Sequence, residues 1–505
     1  MEVTMIDAGW LSIIPPLIAI VLALITKEVF SSLFVGVLSG MLIYCYLAKE
    51  SFMTALSYVF DMMAYKIGDN GYMILFLSLL GSVVVVVTMA GGSRAYGRWA
   101  STKLKTQTSA KLATAVLGVL IFIDDYFNCL TVGTVMHPIT DKHKIAREKL
   151  AYLIDATAAP VCIIAPVSSW AVAVSSEVGS AGGLGAFVQT IPYNFYALLT
   201  LLMVLVICVT NFDFGPMKKA VEKAKDTEYE KEDEVRQMDG IPVSQKGKVI
   251  DLIIPMVVLI ICSILGMAYV GGFFEGVPFT EAIGENPTAG LTLGAFAALV
   301  SAAIMYIPRK LVSFRDFMTG IINGAKTMVS AIAILVFAWS LSGVCREMIG
   351  TGEFVSGLVG ESHLPLTILP AIIFLVAAFL SFSMGTAWGT FGILIPIVSM
   401  ICQGTGAEGA AMLIPALGAT LAGSVYGDHC SPISDTTILS STGAKCEHIR
   451  HVETQIPYAT LVAGVCFVGY IIAGFAGNPW VPLVISAALL LGIFAIISTV
   501  QKRKR

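Results

Sequence analysis

Nine apolar runs, each long enough to cross a lipid bilayer as a helix, recur along this 505-residue chain. An α-helix needs about 20 residues to cross the hydrocarbon core. Only 13% of the residues are charged, whereas soluble domains average about 25%. We therefore predict an all-α polytopic membrane protein, with spans at 11–26, 29–48, 72–91, 195–211, 250–270, 289–307, 319–342, 456–476 and 479–500.

Four further segments are apolar but interrupted by glycine, proline and charge, at 112–139, 150–178, 365–402 and 410–442. Irregular backbone at membrane depth is tolerated only where protein buries it or where it lines a water-filled cavity. We expect 112–139 and 365–402 to be re-entrant hairpins that return to the side they enter from. The other two segments are predicted to be interrupted helices that cross once.

Lysine and arginine placement predicts the orientation, because inner loops carry an excess of both. With the N-terminus outside and the C-terminus inside, the inner loops and the C-terminal tail together hold 27 of the chain's 31 lysines and arginines. Treating the two hairpins as single spans would place the basic stretch "DKHKIAREK" outside. The inner loops are predicted at 27–28, 93–111, 140–149, 212–249, 308–318 and 443–455. We expect the protein to be an integral protein of the bacterial inner (plasma) membrane.

The order of segments repeats. Residues 1–211 contain three spans, a hairpin, an interrupted span and a further span, and residues 250–476 show the same order. The first copy starts outside and the second inside, so we predict two inverted-topology repeats. The stretch 212–249 is predicted to be a cytoplasmic linker, and 477–505 an extra C-terminal helix with a basic tail. Transporters of this build bind their substrates where broken helices meet near the midplane.

Polar side chains gather in "VYGDHCSPISDTT" of the second copy. Gly427 and Pro432 are expected to interrupt the helix here, which would make this stretch the unwound centre of a crossing segment. Carboxylate, hydroxyl and carbonyl oxygens suit a hard cation such as Na⁺, and a carboxylate away from water also holds a proton more readily. The alternative is that the two aspartates only cap helix ends. The candidate ion- or substrate-binding residues are Asp428, His429, Ser431, Ser434, Asp435 and Thr436, with Thr437 beside them.

The first copy carries its own polar cluster in "IFIDDYFNCLTVGT", at the middle of the first hairpin. Asp124 and Asp125 point to different helix faces, so we expect different tasks for them, and Asn128 shares the face of Asp124. The interrupted span adds hydroxyls at "APVSSW", which parallels "SPISDT" in the second copy. Candidate residues here are Asp124, Asp125, Asn128, Thr131, Ser168 and Ser169. A Na⁺ site is predicted at Asp428, Asp435 and Asp124.

Several other polar residues have a structural explanation as readily as a functional one. Asp155 lies near the inner edge of its span, and His137 is expected at the membrane interface. Ser383, Thr386 and Thr390 in "SFSMGTAWGTFG" serve either as site lining or as small residues for close helix packing.

Composition and motifs argue against other classes of protein. No basic arm or basic patch interleaved with aromatics indicates a nucleic-acid partner. "GTGAEG" fits a dinucleotide motif but follows no predicted strand, and ten scattered cysteines form no C-x-x-C pair. No Walker A motif and no nucleophile–base set is present. We expect a protein that is not an enzyme and has no cofactor, with Na⁺ and H⁺ as its transported ions.

The stretch "GDHCSPISDTTILSSTGAKCEHIRHVETQIPYA", from Gly427 to Ala459, resembles the motif of the NhaC-type sodium/proton antiporter family. "DDYFNCLTVGTVMHPITDK" and "DATAAPVCIIAPVSSWA" are similar to further family blocks. The resemblance implies inverted repeats with re-entrant hairpins, a scaffold with a moving transport part, and an assembly that is often a homodimer. His429 stands where the family pattern has asparagine. An ionisable group there would add pH sensitivity or change the substrate.

Three functions fit these features. The leading hypothesis is a Na⁺/H⁺ antiporter that works by alternating access in the lipid bilayer. The second is a Na⁺- or H⁺-coupled transporter of a small carboxylate or amino acid, with half-helix N-termini binding the carboxylate. The third is a passive channel, which a linear, unsaturable flux would support.

Overall fold

The computed structural model describes residues 4–26, 28–178, 183–226, 243–279, 282, 286–351, 354, 365–432 and 434–503. These residues form helices joined by short connections. Eleven helices in the described part are long and apolar enough to cross a membrane, so the all-α polytopic fold is confirmed.

The helices of the first part and the linker, as far as residue 226, are α1 Ile14–Thr26, α2 Val29–Ala48, α3 Phe52–Asp69, α4 Gly71–Met89, α5 Gly92–Lys103, α6 Gln107–Leu120, α7 Asp125–Lys142, α8 Arg147–Asp155, α9 Ala159–Cys162, α10 Ser169–Val178, α11 Gly183–Thr190, α12 Phe195–Thr210 and α13 Gly215–Asp226. Those of the second part are α14 Ile250–Val270, α15 Pro287–Tyr306, α16 Phe314–Thr327, α17 Val329–Gly343, α18 Leu369–Met384, α19 Ala387–Gly404, α20 Gly406–Cys430, α21 Asp435–Gly443, α22 His448–Ala476 and α23 Trp480–Arg503.

Both predicted hairpins are pairs of packed helices joined by a short break. Residues 121–124 join α6 to α7, and Gly385–Thr386 joins α18 to α19. Gly385 has a φ of +69°, a left-handed conformation that glycine adopts without steric cost. The helices of the second hairpin are each long enough to cross the membrane. A hairpin of two helices starts and ends on the same side of the membrane, however deeply it penetrates. The flanking loops therefore keep their predicted sides.

The span predicted at 319–342 lies within one candidate membrane span, Phe314–Met348, in which a one-residue turn at Met328 separates α16 from α17. The 18-residue helix α3 was not predicted, because Asp61, Lys66 and Asp69 break its apolar pattern. It packs against α2 and α17.

The interruption of 410–442 is not where the sequence suggested. Helix α20 runs unbroken through Gly427 to Cys430 and α21 begins at Asp435, so the interruption lies toward the end of the segment rather than at its centre. A Cβ on Gly427 would lie 2.4 Å from the Ala378 carbonyl oxygen of α18. Gly427 therefore permits close helix packing instead of breaking the helix. The break begins at Ser431 (φ −74°, ψ 130°), because the residue before Pro432 is driven out of the helical region.

Loops predicted to lie inside meet one another at one end of the helices. The Ser244 amide donates to the Met89 carbonyl at 2.8 Å, and Arg147 donates to the Lys445 carbonyl at 3.3 Å. The first contact joins the end of α4 to the stretch 212–249, and the second joins the loops 140–149 and 443–455. Of the predicted linker, 215–226 is helical, and 227–242 lies outside the described residues.

The predicted outer segments meet at the opposite end. The Ile6 amide donates to the Met348 carbonyl at 2.8 Å, and Lys66 pairs with Glu347 at 2.6 Å. The division of loops into two groups agrees with these contacts. Which group faces the cytoplasm stays a prediction, and so does the inverted topology of the two copies.

Candidate functional site

The first hairpin lies directly against the broken segment of the second copy. Helices α7 and α21 pack side by side. A Cβ on Gly133 would lie 2.5 Å from the Cα of Gly443, so the two backbones touch where glycines face each other. At the same contact, the Ser440 hydroxyl lies 3.2 Å from the Cys129 sulfur. This packing brings the polar clusters of the two copies together.

Tyr126, on the first turn of α7, connects the polar cluster of the first hairpin to that of the broken segment. It is within electrostatic reach of Asp124 and Asp125 of its own copy and of Asp428 and Asp435 of the other. Its hydroxyl donates to Asp435 Oδ2 at 3.3 Å. Asp125 and Asp428 also interact with each other electrostatically. The four predicted carboxylates therefore all lie within electrostatic range of one tyrosine, to which the sequence assigned no role.

Asp428 is surrounded by the hydroxyls that follow the break. The side chain is 4% exposed. Ser434 Oγ donates to Asp428 Oδ1 at 2.8 Å, and Thr436 Oγ1 lies 3.4 Å from Oδ2. The two hydroxyls are 3.0 Å apart, and Thr437 Oγ1 donates to the Asp428 main-chain carbonyl at 3.4 Å. The carboxylate and its two hydroxyl neighbours form a compact set of oxygens, as the sequence suggested.

Two hydrogen bonds hold the backbone of the break itself. Ser431 Oγ donates to the Phe382 carbonyl of the second hairpin at 2.7 Å. His448 Nε2, on the first turn of α22, is 2.6 Å from the Pro432 carbonyl oxygen. Ser431 therefore connects the break to the hairpin of its own copy. Asp435 is exposed, unlike Asp428.

The adjacent aspartates of the first hairpin do have different surroundings. Ser169 Oγ donates to Asp124 Oδ2 at 3.3 Å, and the Ser169 amide donates to the carbonyl of Ile123 at the hairpin tip, at 2.9 Å. Asp125 is 1% exposed, and neither of its carboxylate oxygens has a hydrogen-bond partner among the described residues. The indole of Trp170 lies beside it. Asp125 is thus a buried acceptor with unused capacity.

Asn128 braces the hairpin tip. Its Nδ2 lies 2.7 Å from the Gly118 carbonyl and 2.9 Å from those of Ile121 and Thr157. The amide therefore joins the end of α6, the tip and the break after α8, and its Oδ1 has no partner among the described residues. Thr131 lies buried on α7, one turn after this brace.

Ser168 caps a helix. Its Oγ accepts from the Ala171 amide at 3.0 Å and donates to the Cys162 carbonyl at 2.8 Å, which is the arrangement of a serine N-cap. The structure places this predicted ligand on backbone groups rather than on the carboxylates. Thr386 plays the same part at the start of α19, where it accepts from the Gly389 amide at 3.4 Å.

His429 faces away from Asp428, into a second polar cluster. Tyr196 Oη lies 2.7 Å from His429 Nδ1, and the Tyr152 ring stacks on the imidazole at a centroid distance of 6.2 Å. The His429 carbonyl accepts a hydrogen bond from Gln455. Gln455 also donates to Asp155 Oδ2 at 2.7 Å.

Sequence reasoning gave no role to His451 and Gln455. His451 Nε2 lies 3.2 Å from Asp155 Oδ2, and both side chains are almost fully buried. The spacing of His448, His451 and Gln455 holds a usable signal, since residues three and four apart share a helix face. That face of α22 contacts the end of α20 and the break.

Acidic, histidine and cysteine side chains of the described residues do not by themselves form a metal site. The described residues contain no group of three or more such side chains that could hold an ion. A cation at Asp428, Asp435 or Asp124 would therefore need hydroxyl or carbonyl oxygens as well. Those oxygens are present at Asp428.

A sequence profile of the Na⁺/H⁺ antiporter family matches residues 151–475, more than half of the chain. Over 100% of its length the chain is 38% identical to an uncharacterized protein of Haemophilus influenzae, of which 98% is covered.

Two further relatives of Bacillus subtilis match over shorter stretches. One is the malate-2H⁺/Na⁺-lactate antiporter, 31% identical over 28% of this chain and 30% of that protein. The other is the Na⁺/H⁺ antiporter NhaC, 29% identical over 34% of this chain and 36% of that protein.

Among solved structures, the YdaH transporter of Alcanivorax borkumensis, described as having an unusual topology, is similar in fold. The TM-score is 0.58 at 13% identity, covering 84% of this chain and 90% of that one. At this identity the likeness shows the fold alone.

Proposed function

The chain belongs to the Na⁺/H⁺ antiporter family, and on this premise we propose that it exchanges Na⁺ for H⁺ by alternating access at carboxylates near the membrane midplane. The family consists of transporters rather than enzymes, and the chain is an integral membrane protein with eleven candidate spans in its described part. In the proposed direction, Na⁺ leaves the cell while H⁺ enters.

The observation that carries the proposal is the contact between the two polar clusters, where Tyr126 of the first hairpin donates to Asp435 in the stretch that contains the buried Asp428. Asp428, with Ser434 and Thr436 on its two oxygens, offers the oxygen ligands that a hard cation prefers. Charged residues inside a membrane are costly and suggest function by default. Na⁺ and H⁺ each neutralise buried negative charge in this region, so the binding of one ion weakens the binding of the other.

The test is ion flux in proteoliposomes with no organic solute present. An inward Na⁺ gradient is expected to drive H⁺ out of the vesicles at a rate that saturates with Na⁺. H⁺ movement that is linear in Na⁺ and never saturates would instead indicate a channel. The absence of any H⁺ movement would remove the Na⁺/H⁺ assignment.

The second candidate is exchange of a small organic acid coupled to Na⁺ or H⁺. Two observations favour it. One relative is a malate-2H⁺/Na⁺-lactate antiporter. The indole N–H of Trp388, whose buried ring lies 5.8 Å from that of Trp170 between centroids, has no hydrogen-bond partner among the described residues. An unused donor of this kind suits a carboxylate. In the same vesicles, H⁺ movement that appears only after malate or lactate is added would favour this candidate.

A further inference from the structure

A second buried polar cluster lies beside the Asp428 site, between helices of both copies. Asp155 ends α8, and His451 and Gln455 lie on α22. Asp155 Oδ2 accepts from Gln455 Nε2 at 2.7 Å and lies 3.2 Å from His451 Nε2. Exposure is 1% for Asp155 and 0% for the other two. These contacts join the end of α8 to the face of α22 that supports the break.

The cluster has hydrogen-bonding capacity that the described residues leave unused. Four of its atoms have no partner there: Asp155 Oδ1, His451 Nδ1, Gln455 Oε1 and His429 Nε2. Buried polar atoms are normally satisfied, and each exception calls for an explanation. A proton or an ordered water that comes and goes would supply the missing partners.

Charged and titratable neighbours of the Asp155–His451 pair lie on α7, α8 and α20. Asp155 interacts electrostatically with His429, and with the thiols of Cys129 on α7 and Cys430 on α20. It also reaches Asp428 and the phenol of Tyr152. The nearby lysine of α8, Lys149, is paired with Asp213. Among these groups, His451 is the base in direct contact with the Asp155 carboxylate.

We propose that Asp155 and His451 form a proton-binding pair separate from the cation-binding Asp428. His451 Nε2 faces Asp155, so the neutral ring carries its hydrogen there and leaves Nδ1 as the proton acceptor. Uptake of one proton at Nδ1 converts the imidazole into imidazolium and changes the net charge of the pair from −1 to 0. Release of that proton restores the negative charge.

The proton at this pair opposes Na⁺ at Asp428 without occupying the same carboxylate. While the pair is negative, Asp155 adds to the field that attracts a cation to Asp428, which it reaches electrostatically. Once the pair is protonated, that attraction is lost. Gln455 also connects the pair to the His429 carbonyl, next to Asp428 in the chain. The inference rests on the proposed Na⁺/H⁺ exchange and assigns the coupling to a second site.

The test compares His451→Gln with the wild type in proteoliposomes. Glutamine keeps an N–H donor for Asp155 but cannot take up a proton. The first measurement is exchange of radioactive Na⁺ for unlabelled Na⁺ at equal pH, which needs the cation site and alternating access but no proton. The second is the KM for Na⁺ between about pH 5 and pH 8, where histidine titrates. In the wild type the KM rises as the pH falls.

In His451→Gln, Na⁺/Na⁺ exchange persists. The rise of the KM for Na⁺ across this pH range becomes smaller than in the wild type by a factor of about five or more. Asp155→Asn flattens it as well and serves as the second variant if one of them does not fold. The matched control is His137→Gln, which alters another histidine–aspartate pair (His137–Asp141, 3.1 Å) and keeps the wild-type pH profile.

Two outcomes would overturn the inference, and they are distinguishable. If both variants keep the wild-type pH dependence, proton and Na⁺ compete at Asp428 alone, and the exchange function stands. If the wild type exchanges Na⁺ for Na⁺ but never moves H⁺, the proposed function fails and the proton pair fails with it.

Discussion

At the scale of single residues, the sequence predicted contacts between polar side chains that are close along the chain. It did not predict contacts between side chains on distant helices. Asp428, Ser434 and Thr436 were predicted together, and they are in contact because a short break folds the chain back on itself. Tyr126 and Gln455 received no role, since their partners are about 300 residues away. Such contacts depend on which helices pack together, and local patterns of residues do not reveal that packing.

Tyr126→Phe tests whether the tyrosine organises the site. The variant removes the 3.3 Å hydrogen bond to Asp435 Oδ2. Because Asp435 is exposed, the loss should cost no more than about 1 kcal/mol of stability. We expect an unchanged melting temperature and a KM for Na⁺ that is raised about threefold to tenfold, which corresponds to the energy of a hydrogen bond. Wild-type flux and KM in Tyr126→Phe would show that the tyrosine is only a spacer.

At the scale of elements, most helices and both hairpins were predicted from apolar runs and their interruptions. The location of a break was harder. Gly427 was expected to unwind α20, yet it permits the close contact with α18. A Cβ at this position would lie 2.4 Å from the Ala378 carbonyl oxygen. Glycine reduces helix propensity and also permits close helix packing, so its presence alone does not separate the two. Proline is the better marker, because its effect on the preceding residue is steric and local.

The contact between α7 and α21 should be sensitive to a single methyl group. In Gly133→Ala the new Cβ would lie 2.5 Å from Gly443 Cα, so the helices must separate. We expect a loss of about 1–3 kcal/mol, as for other overpacked interiors, seen as a lower melting temperature in detergent, with reduced transport. The matched control is Gly464→Ala on α22, where the Cβ meets nothing within 4 Å. Equal melting temperatures for the two variants would contradict the close packing.

At the scale of the whole molecule, the resemblance drawn from Gly427–Ala459 is confirmed by the family profile, which spans 151–475. The charge pattern grouped the loops into two sets, and the contacts at the two ends of the helices agree with that grouping. The helix contacts are the same for either direction of insertion. The direction of insertion therefore still depends on the distribution of lysine and arginine.

Reporter fusions at the C-terminus test that orientation. With the C-terminus inside, a fluorescent protein fused after the last helix should fluoresce in bacterial cells, and a phosphatase that is active only outside the cytoplasm should remain inactive. A fusion of each reporter in the predicted outer connection between α2 and α3, at 49–51, should give the opposite pair of results. Active phosphatase at the C-terminus would reverse the predicted orientation.

The central claim is that Na⁺ and H⁺ exclude each other at a site built around Asp428. It is tested most directly by measuring proton release when Na⁺ is added to the purified protein in a weakly buffered solution. The wild type should release protons with a Na⁺ dependence that saturates. Asp428→Asn should fold, bind no Na⁺ and release none, while Asp61→Asn, an exposed aspartate on α3, should match the wild type. Saturable Na⁺ binding by the wild type without any proton release would contradict the account.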